Sequence, residues 1–199
     1  MSDSGSQSYL KPETSQPVAF DHEAAASRSH LTYGRCIVFG RNDSRGYFFV
    51  IGPHWHVSTF GFLFLFIFGS VILQLVWSSL PPALRVVYLA LLGLSLALYA
   101  AMFVLNPGII PQKQGLGDGL DIEDVGQYSC TRCLALKAQR AFHCPDCDIC
   151  VERFDHHCIW IGKCVGGGNL RCFYLFVAVV PSFFVFVMLM TCFLGEPPK

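Results

Sequence analysis

Charge is what this sequence has least of. Only 14 Lys and Arg and 14 Asp and Glu occur in 199 residues, and they cancel. A chain without a basic excess has no electrostatic footprint for a phosphate backbone, so nucleic acid is excluded as a partner. The opening residues, MSDSGSQSYLKPETSQPVAF, lack an apolar core segment, so no cleavable signal peptide is expected. Three stretches, 57–77, 86–105 and 173–194, lack charge altogether. At a helical rise of about 1.5 Å per residue, a run of about 20 such residues spans roughly 30 Å, the thickness of bilayer hydrocarbon. Together with a hydrophobic share of 53%, this excludes an ordinary soluble domain and points to an integral membrane protein.

Cysteine, by contrast, is plentiful and concentrated. Seven of the ten cysteines and three of the seven histidines lie between residues 130 and 164, in CTRCLALKAQRAFHCPDCDICVERFDHHCIWIGKC. The candidate ligands are Cys130, Cys133, His143, Cys144, Cys147, Cys150, His156, His157, Cys158 and Cys164. Structural zinc takes four Cys or His ligands in a tetrahedron, with C-x2-C pairs as the usual half-sites. Such pairs occur at Cys130/Cys133 and, overlapping, at Cys144/Cys147/Cys150. Two closed sites would use eight of the ten candidates and leave two. The spare pair is best placed in Asp155-His156-His157-Cys158, as one Cys and one His. A free Cys beside a His and an Asp has the parts of an activated nucleophile: thiolate, base and orienter. Two blander readings stand beside this one. One is a purely structural double-zinc module. The other is a disulfide framework, which fits poorly because disulfide scaffolds belong to small secreted domains and this cluster carries histidines in register.

These residues resemble the cysteine-rich domain of the DHHC family of protein S-acyltransferases (palmitoyltransferases). The likeness runs through Cys130, Cys133, Lys137, Arg140, His143, Cys144, Cys147, Cys150, Asp155-His156-His157-Cys158, Trp160, Cys164, Gly166, Asn169 and Phe173, about a fifth of the chain. Ala138 stands where Pro is usual and Lys163 where Asn is usual. The resemblance implies that one zinc takes Cys130, Cys133, His143 and Cys150, and the other Cys144, Cys147, His157 and Cys164. It leaves Cys158 as acyl-carrying nucleophile, His156 as base and Asp155 as its orienter. It further implies two structural zinc ions, fatty acyl-CoA as substrate, and membrane-associated protein substrates with cytosolic cysteines.

Around this domain the chain divides as follows. Residues 1–35 read as a disordered tail, in which His22 and His30 are solvated. Two β-prone runs within 36–56 read as a hairpin leaning on the membrane surface or the zinc domain, with Cys36 as small buried filler. His54 and His56 read as plain interfacial histidines beside Trp55. The spans fall at 57–77, 86–105 and 173–194. Small residues Gly93, Ser95, Ala97 and Ala101 should permit close helix packing in the second, and Pro181 should kink the third. The turn Asn106-Pro107-Gly108 ends span two and resembles the family's Asp-Pro-Gly. A polar linker, 106–129, with Asp118, Asp121, Glu123 and Asp124, leads to the zinc domain at 130–172. Cys172 and Cys192 read as apolar filler or as S-acylation sites.

The basic residues Lys11, Arg28, Arg35, Arg41 and Arg45 precede span one. Lys113, Arg132, Lys137, Arg140, Arg153 and Lys163 lie between spans two and three, with Arg171 at the edge, against only Arg85 and Lys199 elsewhere. The positive-inside rule therefore puts the N-terminus and the zinc domain in the cytosol. The expected fold class is an α-helical integral membrane protein of three spans with a small cytosolic zinc-binding cysteine-rich domain. Nothing in the sequence separates Golgi, endoplasmic reticulum and plasma membrane. The family usually has four spans and a Thr-Thr-x-Glu motif after the fourth, which this sequence does not contain. Two readings stay open: a protein S-acyltransferase, or a catalytically incomplete membrane zinc scaffold or regulatory subunit of an intact acyltransferase.

Overall fold

The structure is a computed structural model describing residues 31–42, 46–110, 130, 132, 133 and 140–194. His22, His30, Lys137, Ala138 and the acidic linker residues lie outside these. The three uncharged stretches form helices α1 (Trp55–Val76), α2 (Pro82–Val104) and α3 (Leu170–Leu194), each long and apolar enough to cross a membrane. In lipid, a helix satisfies every backbone group internally, which is why such runs adopt no other form. Around the helices lie short strands: β1 (Leu31–Tyr33), β2 (Cys36–Asn42), β3 (Gly46–Ile51), β4 (Phe142–Cys144), β5 (Ile149–Val151), β6 (His156–Cys158) and β7 (Lys163–Val165).

Prolines and one arginine close the turn between α1 and α2. Pro82 occupies the first position of α2, where its missing N–H costs nothing. Arg85, in the first turn of α2, donates from Nε to the Leu80 carbonyl at 2.9 Å and lies 4.5 Å above the Trp77 ring. The two helices touch where α1 has glycine. Tyr88 Oη donates to the Gly69 carbonyl at 2.7 Å and stacks edge-on against Phe183 of α3, centroids 5.3 Å apart. Gly61 leaves room for the Tyr99 hydroxyl in the same way. The expectation that Gly93 serves close packing fails: a Cβ there would meet nothing within 4 Å. Ser95 of the same group is fully buried, and at the α1 contact it is Gly61 and Gly69 of α1 that make room for side chains of α2. Pro181 lies within α3.

The expected hairpin has a third strand. β1, which the sequence reading placed in the tail, pairs antiparallel with β2, and β2 with β3. A chain turn at Gly34-Arg35, with Gly34 at φ +57°, returns β1 on β2. This small sheet leans on the Cys/His domain: Cys36, Val38 and Val50 are buried with Cys144, Cys147, Ile149, Val151 and Cys164. Arg35 N–H donates to the Cys147 carbonyl at 2.8 Å.

Asn106-Pro107-Gly108 joins membrane helix to domain. Asn106 Oδ1 accepts from the N–H groups of Gly108 and Ile109, at 2.9 and 3.0 Å. The carbonyls of Pro107 and Gly108 accept from Gly168 and Glu152, at 3.0 and 2.8 Å. Lys163, at the departure from the family pattern, is fully buried and donates from Nζ to the carbonyls of Val50 and Phe103. Burial pushes its pKa down to about 7, while the sulfurs of Cys36, Cys147 and Cys164 work against that fall.

Two glycine substitutions separate these effects. At Gly34 a Cβ would run into the backbone carbonyls of Cys147 and Asp148, in a left-handed conformation that costs an L-residue about 1–2 kcal/mol before the clash. Gly34→Ala should lower the unfolding midpoint in detergent by more than that strain alone. Gly93→Ala should leave it unchanged or raise it, since Ala favours helix by about 0.5–1 kcal/mol.

Candidate metal centres and nucleophile

The two short hairpins of the domain are where side chains are dealt out. Residues paired across a sheet share a face, and neighbours along a strand take opposite faces. In β4–β5, His143 pairs with Cys150, while Cys144 pairs with Ile149. His143 and Cys144, adjacent in sequence, therefore point apart. In β6–β7, His157 pairs with Cys164, and Cys158 with Lys163. His156 and Cys158 share the face that His157 avoids.

Two groups of four result: Cys130, Cys133, His143 and Cys150, and Cys144, Cys147, His157 and Cys164, with the ligand atoms of each within 4.8 Å of one another. In the second group, His157 Nδ1 lies 3.5, 3.3 and 3.8 Å from the sulfurs of Cys144, Cys147 and Cys164, and the sulfurs of Cys147 and Cys164 are 3.5 Å apart. A tetrahedron with metal–sulfur bonds of about 2.3 Å and metal–nitrogen bonds of about 2.0–2.1 Å has edges of roughly 3.5–3.8 Å. The donor set fits zinc on that ground. In the first group His143 Nδ1 lies 3.1 and 4.0 Å from the sulfurs of Cys133 and Cys150. Its other nitrogen, Nε2, is buried without a hydrogen bond among the described residues, 3.4 Å from Asp148 Oδ1.

Two C-x2-C turns bring a backbone N–H to their first sulfur: Cys133 to Cys130 and Cys147 to Cys144, both at 3.5 Å. Burial opposes ionising Cys130, but N–H groups of Cys133 and Arg132, together with hydrogen bonds from the Cys150 and Cys133 side chains, lower its pKa on balance. Cys147 is pushed far below the usual thiol range by hydrogen bonds from Cys164 and Cys36. Cys164 and Cys36 are pushed up in return, each chiefly by its hydrogen bond to Cys147. One sulfur thus gathers its neighbours' hydrogen bonds, and a divalent cation is what lets several such sulfurs ionise together. All ten cysteines are free of disulfides. Both groups are arranged to hold a metal ion.

Cys158 belongs to neither group. It is half-buried and packs, as do Leu170, Cys172, Phe173 and Phe176, against the buried cluster of Met102, Ile161 and Val165. His156 Nδ1 lies 2.7 Å from Asp155 Oδ2, and its ring packs edge-on against Phe173 at 5.1 Å. After Cys158 the chain makes a 3-10 turn, Ile159–Ile161, closed by Gly162 at φ +74°. The Trp160 carbonyl there accepts from Ser58 Oγ of α1 at 2.9 Å and Tyr99 Oη of α2 at 2.8 Å. Asn169, buried, accepts from Gly166 N–H and donates to the Cys164 carbonyl, tying β7 to the start of α3.

Three residues that position this region were not legible as such. Ser58 and Tyr99 sit in the uncharged stretches of α1 and α2, where only a hydroxyl marks them. His54, read as a plain interfacial histidine, has its Nδ1 3.0 Å from His157 Nε2. Its partner is 103 positions away, so no local pattern could signal it.

Metal analysis of the purified chain should return two zinc ions; one or none would contradict two closed sites. Cys147→Ser should lose one ion and lower the unfolding midpoint sharply, because structural metal binding is folding free energy.

The DHHC palmitoyltransferase family model matches residues 124–196. The palmitoyltransferase akr1 of Schizosaccharomyces pombe is 30% identical over 151 residues, covering 66% of this chain and 24% of that protein. The probable protein S-acyltransferase 12 of Arabidopsis thaliana is 31% identical over 137 residues, covering 63% of this chain and 40% of that protein. The human palmitoyltransferase ZDHHC9 is 50% identical over 58 residues, 29% of this chain and 16% of that protein. The chain thus matches well under half the length of each of these relatives. It belongs to the DHHC palmitoyltransferase family.

Proposed function

We propose that this chain is a protein S-acyltransferase that moves a fatty acyl group, palmitoyl first among them, from acyl-CoA to protein cysteines through a thioester on Cys158. One observation carries the reading. Of the seven cysteines between residues 130 and 164, Cys158 is the one outside both four-ligand groups; it shares a strand face with His156, which is bonded to Asp155, and it packs on an apolar cluster continuous with the helices.

The reaction has two steps. In the first, His156 takes the Cys158 proton and the thiolate attacks the acyl-CoA carbonyl. The carbon–sulfur bond to CoA breaks, and CoA leaves as a thiolate that recovers the proton. In the second, the sulfur of a substrate cysteine attacks the Cys158 thioester, its proton passing to His156 as Cys158 leaves. Asp155, hydrogen-bonded to Nδ1, holds the imidazole so that Nε2 is the proton-accepting atom and stabilises the imidazolium. Zinc, when bound, fixes the fold of the loop by holding Cys144, Cys147, His157 and Cys164. The other site would use Cys130, Cys133, His143 and Cys150. The location of Cys158 suits both substrates: an acyl chain needs an apolar surface, while CoA and a substrate thiol arrive from water.

The Lys/Arg distribution supports a cytosolic N-terminus and Cys/His domain. A glycosylation acceptor fused after Lys199 should then be modified and one near residue 5 left unmodified; the reverse pattern would refute this orientation.

The acyl-transfer test is labelling with an alkyne fatty acid. Wild type should take a hydroxylamine-sensitive label, and Cys158→Ser should lose it while keeping both zinc ions. His156→Ala should keep both ions and slow acylation about 10²-fold or more, the usual scale of a lost general base. A full-strength label on Cys158→Ser would refute the assignment. A wild-type chain that keeps both ions and takes no label would favour the scaffold reading.

A further inference from the structure

His54 sits where the first membrane helix begins, just before Trp55. Its backbone is held on both sides: its N–H donates to the Gly162 carbonyl at 3.2 Å, and its carbonyl accepts from Val57 and Ser58 at 3.0 and 3.4 Å. Gly162 closes the turn after Cys158, and a Cβ on it would press on the His54 carbonyl at 2.9 Å. The backbone fastening leaves the imidazole of His54 free to face one partner, Nε2 of His157, at 3.0 Å with ring centroids 5.1 Å apart and the rings nearly perpendicular.

The tautomers follow from the opposite edge of His157. Its Nδ1 faces the three sulfurs of Cys144, Cys147 and Cys164. A neutral imidazole that gives its Nδ1 lone pair to a metal must carry its proton on Nε2. That N–H needs an acceptor, and at 3.0 Å the atom opposite is His54 Nδ1, so His54 carries its own proton on Nε2. Outer partners of this kind fix the orientation and raise the basicity of a ligating histidine, and their loss typically costs about 10–100-fold in metal affinity. The partner here is another imidazole, and it stands at the start of a membrane helix rather than within the Cys/His domain.

We infer that His54 is a positioning residue for the second metal site: it accepts the Nε2–H of His157, fixes that ligand's tautomer and ring plane, and so ties metal retention to the start of α1. The inference rests on the reading that Cys144, Cys147, His157 and Cys164 hold zinc. Because His157 precedes Cys158 in β6, the same bond also limits rotation of the strand that presents the nucleophile.

Two substitutions isolate the acceptor from the space it fills. In His54→Asn, the side-chain oxygen falls where Nδ1 stood and still accepts. In His54→Leu, similar bulk remains without an acceptor, and the backbone bonds to Gly162 and Val57 are untouched. The measurement is zinc release from the full-length chain in detergent to a coloured chelator, with total zinc counted at the start. Wild type should hold two ions. His54→Leu should release one of them about 10-fold faster or more while the other leaves at the wild-type rate, and His54→Asn should stay near wild type. In cobalt-substituted protein, the visible spectrum of one site should change in His54→Leu and not in His54→Asn. Two ions in all three proteins with equal release rates would overturn the inference and leave the zinc reading standing. Equal acceleration of both ions in His54→Leu and His54→Asn would overturn it as well, since that marks general loosening. A wild-type chain without an ion at the second site would overturn the zinc reading and the inference together.

Discussion

The two-residue period of a β-strand organises this domain. Strand neighbours face opposite ways, and two of the domain's hairpins place a functional pair at adjacent positions. His143 and Cys144 go to different four-ligand groups, and His157 goes to one group while Cys158 goes to the other face. A shift of one residue in β6–β7 pairing would turn Cys158 toward the sulfurs and His157 toward the helices. Three-residue strands cannot hold register by their own few hydrogen bonds. Register is set from outside, by the C-x2-C turns and by residues that pin each hairpin to its surroundings.

Those pins come largely from the membrane helices. The Trp160 carbonyl takes hydroxyls from α1 and α2, the Gly162 carbonyl takes the N–H of His54, and Lys163 reaches the carbonyl of Phe103 near the end of α2. Asn106-Pro107-Gly108 adds a fourth tie through Gly168 and Glu152. All four converge on the segment from Cys158 to Asn169, the last also on Glu152 just after β5. The Trp160 carbonyl, bonded to two helix hydroxyls, fixes the turn after Cys158 against the helices without placing charge in the apolar layer.

What could be read in advance follows from range. The three helices were legible because uncharged runs of that length have one stable form in a bilayer. The metal groups were legible because their residue types and short spacings are rare outside such sites, and the family likeness supplied the division between the two. The β1 strand was missed: three residues of ordinary composition become a strand only because Gly34 turns them back on β2. Gly93 was misjudged because a small residue shows that close approach is possible, not where a partner stands. His54 was misjudged because its partner lies far along the chain, and a lone histidine carries no sign of what will face it. Lys163 looked like a departure of detail, yet it is buried and bridges β3 and α2, which its charge alone would not foretell.

The central claim is that strand alternation leaves one of the seven thiols between Cys130 and Cys164 outside the metal sites. Alkylation of the zinc-loaded chain by a small water-soluble reagent, mapped by mass spectrometry, tests it most directly. The account predicts rapid modification of Cys158 with Cys130, Cys133, Cys144, Cys147, Cys150 and Cys164 protected, and modification of all seven once zinc is stripped by a chelator. Protection of Cys158 that is lifted only by the chelator would contradict it.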